Sequence, residues 1–271
     1  MKTNGRLWRW LGLIFVLSFG ALGYLGRQIY LAAPPIPQAV VTTTGGVLFT
    51  GEQIQRGQQA WLAAGGQQLG TVWGHGSYVA PDWSADWLHR EATTLQTIRT
   101  QQQFGTTAPL TASQQAAVDA AVKEEMRRNT YDPTHDSITV SPDRARAIQD
   151  VARHFEDLFG TDPSLATLRD QYAMGTGVLP KQEDREALAA FFFWTSWAAA
   201  TDRPGETDLS YTSNWPHEPL VGNTMTDGAA MWSMVSIILL LGGIAAMLWI
   251  HGSSKHEEEA KPLAADPFLH A

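Results

Sequence analysis

Asp82, Asp86, His89 and Glu91 fall within one short stretch of the chain. Carboxylates and an imidazole this close together are raw material for a metal site or an acid–base set. Their spacing matches no zinc motif such as His-Glu-x-x-His. The same residues also read as the start of a helix, with Asp82 or Ser84 as cap and Asp86 in the first turn. On residue chemistry alone the helix start is the preferred reading. His217 and Glu218 form a second polar pair before an apolar run. They could carry protons, but read more simply as polar surface residues at a membrane edge. His251 and the run His256, Glu257, Glu258, Glu259 read as solvated. No nucleophile–base motif, phosphate loop or dinucleotide fingerprint occurs. The chain has no cysteine, which excludes disulfides and any thioether link to a haem.

The elements that must position these residues are mostly helical. Pro34 to Thr50 is rich in Pro and Thr and reads as a linker with a short strand. Thr50 is placed to cap a helix from about Gly51, with Gln53 at the capping-box position. That helix stops at Gly65 and Gly66, and a loop follows through Tyr78. Further helices are expected over Ser84–Gln103 and over Ser113–Arg128, the latter capped by Ser113. Ser141 and Pro142 start another as cap and first-turn proline, running to Phe159 and stopping at Gly160. The last covers about Lys181–Ala200.

Two long apolar runs bracket this region. Leu7–Ala33 has Arg9 near its start and Arg27 near its end. Its uncharged part is close to the lower limit for a membrane helix, and arginine snorkelling would extend it. A cleaved secretory signal is the competing reading. Continuation of the run into Ala32, Ala33, Pro34 and Pro35 favours a retained anchor. Ala229–Ile250 carries no charge, with Trp232 and Trp249 near its ends as interface anchors. Ser233, Ser236, Gly242 and Gly243 permit close approach by neighbouring helices, a dimer partner among them. Lys2, Arg6 and Arg9 place the N-terminus in the cytoplasm. The expected organisation is residues 1–33 as cytoplasmic N-terminus and first span, 34–228 as a periplasmic domain, 229–250 as second span and 251–271 as cytoplasmic tail. A net charge of -8 argues against nucleic acid as partner.

The run from Gly57 to Trp83 resembles the haem-attachment region of the cytochrome c subunit of bacterial nitric oxide reductases, with Gly76–Asp82 fitting that pattern well. Where that family has Cys-x-x-Cys-His, this chain has Gly66, Gln67, Gln68, Leu69 and Gly70. A cytochrome-like frame without its haem resembles the N-terminal part of the quinol-dependent, single-chain nitric oxide reductases. Ala80–Glu91, Met174–Ser196 and Asn214–Asn223 are similar to the same enzymes.

The resemblance implies a mostly α fold: a haem-less, cytochrome c-like helical domain in the periplasm, flanked by two transmembrane helices. It implies docking of the Tyr78–Glu91 region on a catalytic membrane domain that carries two b-type haems and a non-haem iron. It also implies a calcium ion shared with that domain, to which this chain gives a carbonyl and a tyrosine of a Gly-x-Tyr, here Gly76 and Tyr78. Met174 lies near the family's distal iron ligand and, with no haem, is expected in the core. Phe191–Trp194 are expected to fill the old haem place or to pack on the membrane domain. The second run has no histidine to ligate haem, and the tail Lys261–Ala271 looks like a linker into a catalytic part. The chain is therefore expected to be a non-catalytic portion or subunit that does not reduce nitric oxide alone. A membrane-anchored periplasmic sensor or assembly protein is the alternative; a c-type electron carrier is nearly excluded by the missing thiols.

Overall fold

The computed structural model describes residues 5–105 and 109–259. The basic Lys2 and the tail Lys261–Ala271 lie outside the described residues, as do the side chains of His256–Glu259. The chain divides into two compact units, Met1–Thr224 and Met225–Ala271. Most of the described residues are helical, so the fold is mostly α as expected.

In the first unit, α1 (Gly5–Leu31) precedes two short strands, β1 (Ala39–Thr42) and β2 (Val47–Thr50). Then come α2 (Gly51–Ala63), α3 (Trp83–Phe104), α4 (Ala112–Arg127), β3 (Tyr131–Asp132), β4 (Ser137–Val140), α5 (Pro142–Phe159), α6 (Ala166–Gln171) and α7 (Gln182–Ala200). The second unit holds α8 (Asp227–Glu259). Trp8–Leu31 and Asp227–Ser253 are long and apolar enough to cross a membrane, with mean hydropathies of 1.4 and 2.3. Their most apolar stretches are not buried against the protein, as a lipid-facing helix requires. On α8, Ser236 Oγ donates to Ser233 O at 2.9 Å, which satisfies a hydroxyl that lipid would leave unpaired.

The helix starts follow local chemistry. Thr50 and Gln53 form a reciprocal capping box on α2, Asp82 caps α3, and Ser141 caps α5 with Pro142 behind it. One expected cap is corrected. Ser113 does not start α4; Thr111 does, in a capping box with Gln114. Both boxes obey the same spacing, and the competing hydroxyl two residues on obscured the second.

One strand was expected before α2, and four strands form a sheet of order β2-β1-β4-β3. β1 runs parallel to β4 and antiparallel to β2. The sheet brings residues 39–50 beside 131–140 and buries Val40, Phe49, Ile138 and Val140.

α7 is the centre of the unit. Every residue from Ala187 to Ala200 is buried, which fits a helix apolar on all faces. α2, α3 and α5 surround it. α5 presents Ala145, Ile148, Val151, Ala152, Phe155 and Phe159 inward at helical spacing. Its C-terminal carbonyls are capped by a buried cation: Arg169 of α6 donates to Asp157 O and to Leu158 O. Positive charge there also complements the helix dipole.

Between α3 and α5 lies a fully buried ion pair. Arg144 Nε donates to Glu91 Oε1 at 2.7 Å, and Trp87 Nε1 donates to Glu91 Oε2 at 2.8 Å. Both carboxylate oxygens are thus used. Removing one partner strands the other charge without water. We expect Glu91→Ala to cost about 3–5 kcal/mol in denaturant unfolding of the purified chain. A Glu91→Leu/Arg144→Met double variant should lose less than either single change; equal or greater loss would mean that the pair itself stabilises the fold.

Candidate functional site

The expected ligands Gly76 and Tyr78 lie on a loop whose two ends meet. Thr71 and Asp82 form a β-bridge, and Trp83 N donates to Thr71 O at 2.8 Å. Inside this base, the Asp82 carboxylate accepts from Thr71 Oγ1 (2.7 Å), Gly74 N (2.6 Å) and Ala85 N (3.0 Å). The helix cap therefore also organises the loop. Thr71 Oγ1 in turn accepts from Gly76 N at 2.8 Å. Gly76 has φ +84, a left-handed conformation that disfavours a side chain. Ser77–Ala80 is a closed turn, with Ser77 N donating to Ala80 O at 2.9 Å and Ala80 N to Ser77 Oγ at 3.3 Å. Tyr78 stands at its corner with a relative exposure of 102%.

These two residues supply hard oxygen donors. Among the described residues nothing donates to the Gly76 carbonyl. The Asp82 carboxylate at the base of the loop is occupied by its own three donors. Among the described residues no group of three or more His, Asp or Glu side chains converges as a metal site. Calcium takes about six to eight oxygens, so this loop fits as a partial donor set that needs a partner's oxygens.

Asp82, Asp86, His89 and Glu91 do not converge. Asp82 caps and braces, Asp86 pairs with Arg90 one turn on, Glu91 is sealed against Arg144, and His89 Nδ1 meets Glu218 Oε2 at 2.9 Å. That last contact corrects the reading of Glu218 as a surface residue. Its relative exposure is 6%, and it also accepts from Leu220 N at 3.1 Å. His217 is exposed, as expected. Trp215 is not free either. Its indole N–H donates to Gly74 O at 2.8 Å, and its ring lies 4.8 Å from that of His75. The segment before α8 is therefore tied to the 71–82 loop, an association that sequence spacing does not reveal.

The five residues in place of the thiol motif have a definite geometry. Gly66–Gln68 form a 3₁₀ turn, and Gly70 has φ +142. A Cβ on Gly70 would fall 2.2 Å from Trp83 Nε1, an impossible approach. Gly70 O meanwhile accepts from Trp61 Nε1 at 3.1 Å. The position where the resembled family carries its histidine is thus enclosed by two indoles. Trp83 stacks on Phe192 (centroids 5.7 Å, 20°) and meets Phe155, Phe159 and Tyr172 edge-on. Phe191, Phe192 and Phe193 are buried in the same core, with Trp194 at its margin. Met174 also lies in this core, as expected.

His154 escaped notice in the sequence. It sits on α5 with a buried Nε2 that has no hydrogen-bond partner among the described residues. Burial first, then the charge of Arg90, holds its pKa below the ordinary 6.5, against the opposite pull of Asp86 and Asp157.

Two outcomes follow from this geometry. Gly70→His should destabilise the chain severely, with Gly70→Ala close behind, because backbone and indole cannot both stay; thermal midpoints equal to the parent's would contradict the packing. For His154, the unfolded chain takes up its proton as pH falls through about 6.5, while the folded chain resists to lower pH. Its stabilising contribution is therefore complete above that value and is lost as pH falls through the window below it. The acid limb of a midpoint-against-pH curve should be shallower in His154→Gln than in the parent.

The family model for the NorB cytochrome c-like domain of nitric oxide reductase matches residues 37–217. No curated protein matches the chain. The matched segment spans the sheet, α2 to α7, the 71–82 loop and most of the segment before α8. With more than half of its length covered, the chain belongs to the family of the NorB cytochrome c-like domain of nitric oxide reductase.

Proposed function

We propose that this chain is the non-catalytic N-terminal portion, or a separate subunit, of a quinol-dependent nitric oxide reductase. It anchors itself by α1 and α8 in the bacterial inner membrane. Its helical domain covers a haem b-containing membrane domain on the periplasmic side. The complete enzyme would take two electrons from quinol and convert two NO and two protons to N2O and water. This chain contributes position and shielding to that reaction.

One observation carries the reading. The family match covers Gly57–Trp83, the run that resembles a haem-attachment region; that run has no thiol, and a side chain at Gly70 would collide with Trp83. An electron-carrying c-type domain cannot be built on that backbone. What remains of the family's role is the frame itself: an anchored domain with an exposed loop toward a partner.

Gly76 and Tyr78 are the residues proposed to contribute to a calcium ion shared with the partner. A bound calcium would supply positive charge that draws oxygens from two polypeptides together. The chain's own part is to present the Gly76 carbonyl and the Tyr78 phenol, the latter on the closed Ser77–Ala80 turn. Tyr78, fully exposed, keeps its oxygen available. Val79 beside it is half exposed and offers apolar contact to the same partner.

Affinity purification of the tagged chain from its native membrane tests this function. The expected result is co-purification of a polypeptide with a b-type haem spectrum, while the chain itself, separated from it, shows no Soret band. Recovery of the chain alone would favour an anchored protein with another task. A Soret band from the separated chain would contradict the closed haem place.

A further inference from the structure

Building on the calcium reading, we propose that Thr71, Asp82 and Trp215 are positioning residues of the Gly76–Tyr78 cation site. None of them is a candidate ligand: every polar atom they bring to the loop is engaged within the chain. Their effect on the site is conformational.

The physical need is clear. An exposed loop that supplies only two oxygens gains little from each, so the entropy of ordering it would offset most of that gain. Preorganisation before the ion arrives removes this cost. Two independent braces provide it. The first runs from the start of α3: Asp82 holds Thr71 Oγ1 and Gly74 N, and Thr71 Oγ1 holds Gly76 N. One hydroxyl thus relays a helix cap directly to the backbone of a proposed ligand. Thr71 suits this relay because its hydroxyl donates one bond and accepts another.

The second brace comes from a different part of the chain. Trp215 Nε1 binds Gly74 O, and the preceding Asn214 is held from every side. Asn214 Oδ1 accepts from Arg127 Nη1 (3.1 Å) and Ser210 N (2.8 Å). Its Nδ2 donates to Asp208 O (2.7 Å) and Thr224 O (2.8 Å). Arg127 is the buried last residue of α4, ion-paired with Asp202. The loop is therefore fixed between the start of α3 and, through Asn214, the end of α4. Loss of either brace should loosen Gly76 and Tyr78 relative to each other without removing a donor atom.

The test is a calcium titration of the purified protein with any partner that accompanies it from the membrane. Calcium content and thermal midpoint are both measured, against an EGTA baseline for each variant. Thr71→Val deletes the relay and leaves Gly76 N unpaired; Thr71→Ser keeps it. Trp215→Phe removes only the bond to Gly74. The expected result is an apparent calcium affinity lowered about 10- to 100-fold in Thr71→Val and Trp215→Phe and restored in Thr71→Ser. General loss of stability would appear in EGTA and cannot mimic a shifted titration. Thr71→Val and Trp215→Phe titrating like the parent while Tyr78→Phe weakens would overturn the positioning role and leave the calcium reading standing. A parent that neither holds nor responds to calcium would overturn both, and is recognised because no variant is needed to see it.

Discussion

The contact on which the rest depends is the indole of Trp83 laid against the backbone of Gly70. It requires a residue without Cβ at 70, and it sets where α3 begins. From that point Trp83 reaches Phe155 and Phe159 of α5, Phe192 of α7 and Tyr172 after α6. Its Nε1 has no hydrogen-bond partner among the described residues. An unsatisfied buried N–H costs about 1–3 kcal/mol. Four ring contacts at about 0.5–1.5 kcal/mol each, added to the burial of the indole itself, exceed that cost. Burial of aromatic area wins over hydrogen-bond completeness here, and one side chain ties three helices to one backbone position.

Buried polar groups complete what the aromatic core leaves underdetermined. Apolar packing alone tolerates small slides of α3 along α5. The Glu91–Arg144 pair, with Trp87 on the second carboxylate oxygen, removes that freedom because each bond has one geometry. Replacing such a pair by apolar residues of similar volume is often neutral or stabilising, whereas removing one partner strands a buried charge. The surface pairs Arg128–Glu124 and Arg153–Asp150 are different in kind: they are solvated and one helical turn apart, a setting worth about 0–1 kcal/mol.

The helices were largely legible because their signals are local. Thr50 with Gln53, Ser141 with Pro142, and Gly160 each act within one turn, and the structure uses them as expected. β1, β3 and β4 were missed because none exceeds four residues. Strands this short give too few positions for a periodic signal, and the β1–β4 pairing that joins the two hairpins spans about a hundred residues of chain. Glu218 was misjudged for the same reason: its partner His89 lies on α3, and nothing near residue 218 announces burial. Gly76 and Tyr78 entered through family resemblance alone. The bonds from Asp82, Thr71 and Trp215 that give their loop a defined shape could not be read from spacing, since Trp215 and Gly74 are joined only by the fold.

A domain with the frame of a cytochrome and no place for its histidine raises the question of what holds the frame together. In a haem protein the cofactor is itself much of the core. Here Trp83, Phe155, Phe159 and the Phe191–Phe193 run form one packed aromatic core. That core bears on the 71–82 loop. Trp83 follows Asp82 directly, and its backbone N–H closes the base of the 71–82 loop on Thr71. The residue that fills the core therefore also anchors the loop that faces outward. Core packing fixes the start of α3, the start of α3 fixes Asp82, and Asp82 fixes Thr71 and Gly74. A rigid aromatic centre is thus connected by three short steps to the backbone of Gly76, two residues from the exposed Tyr78. The order of the loop is thus a consequence of the order of the core.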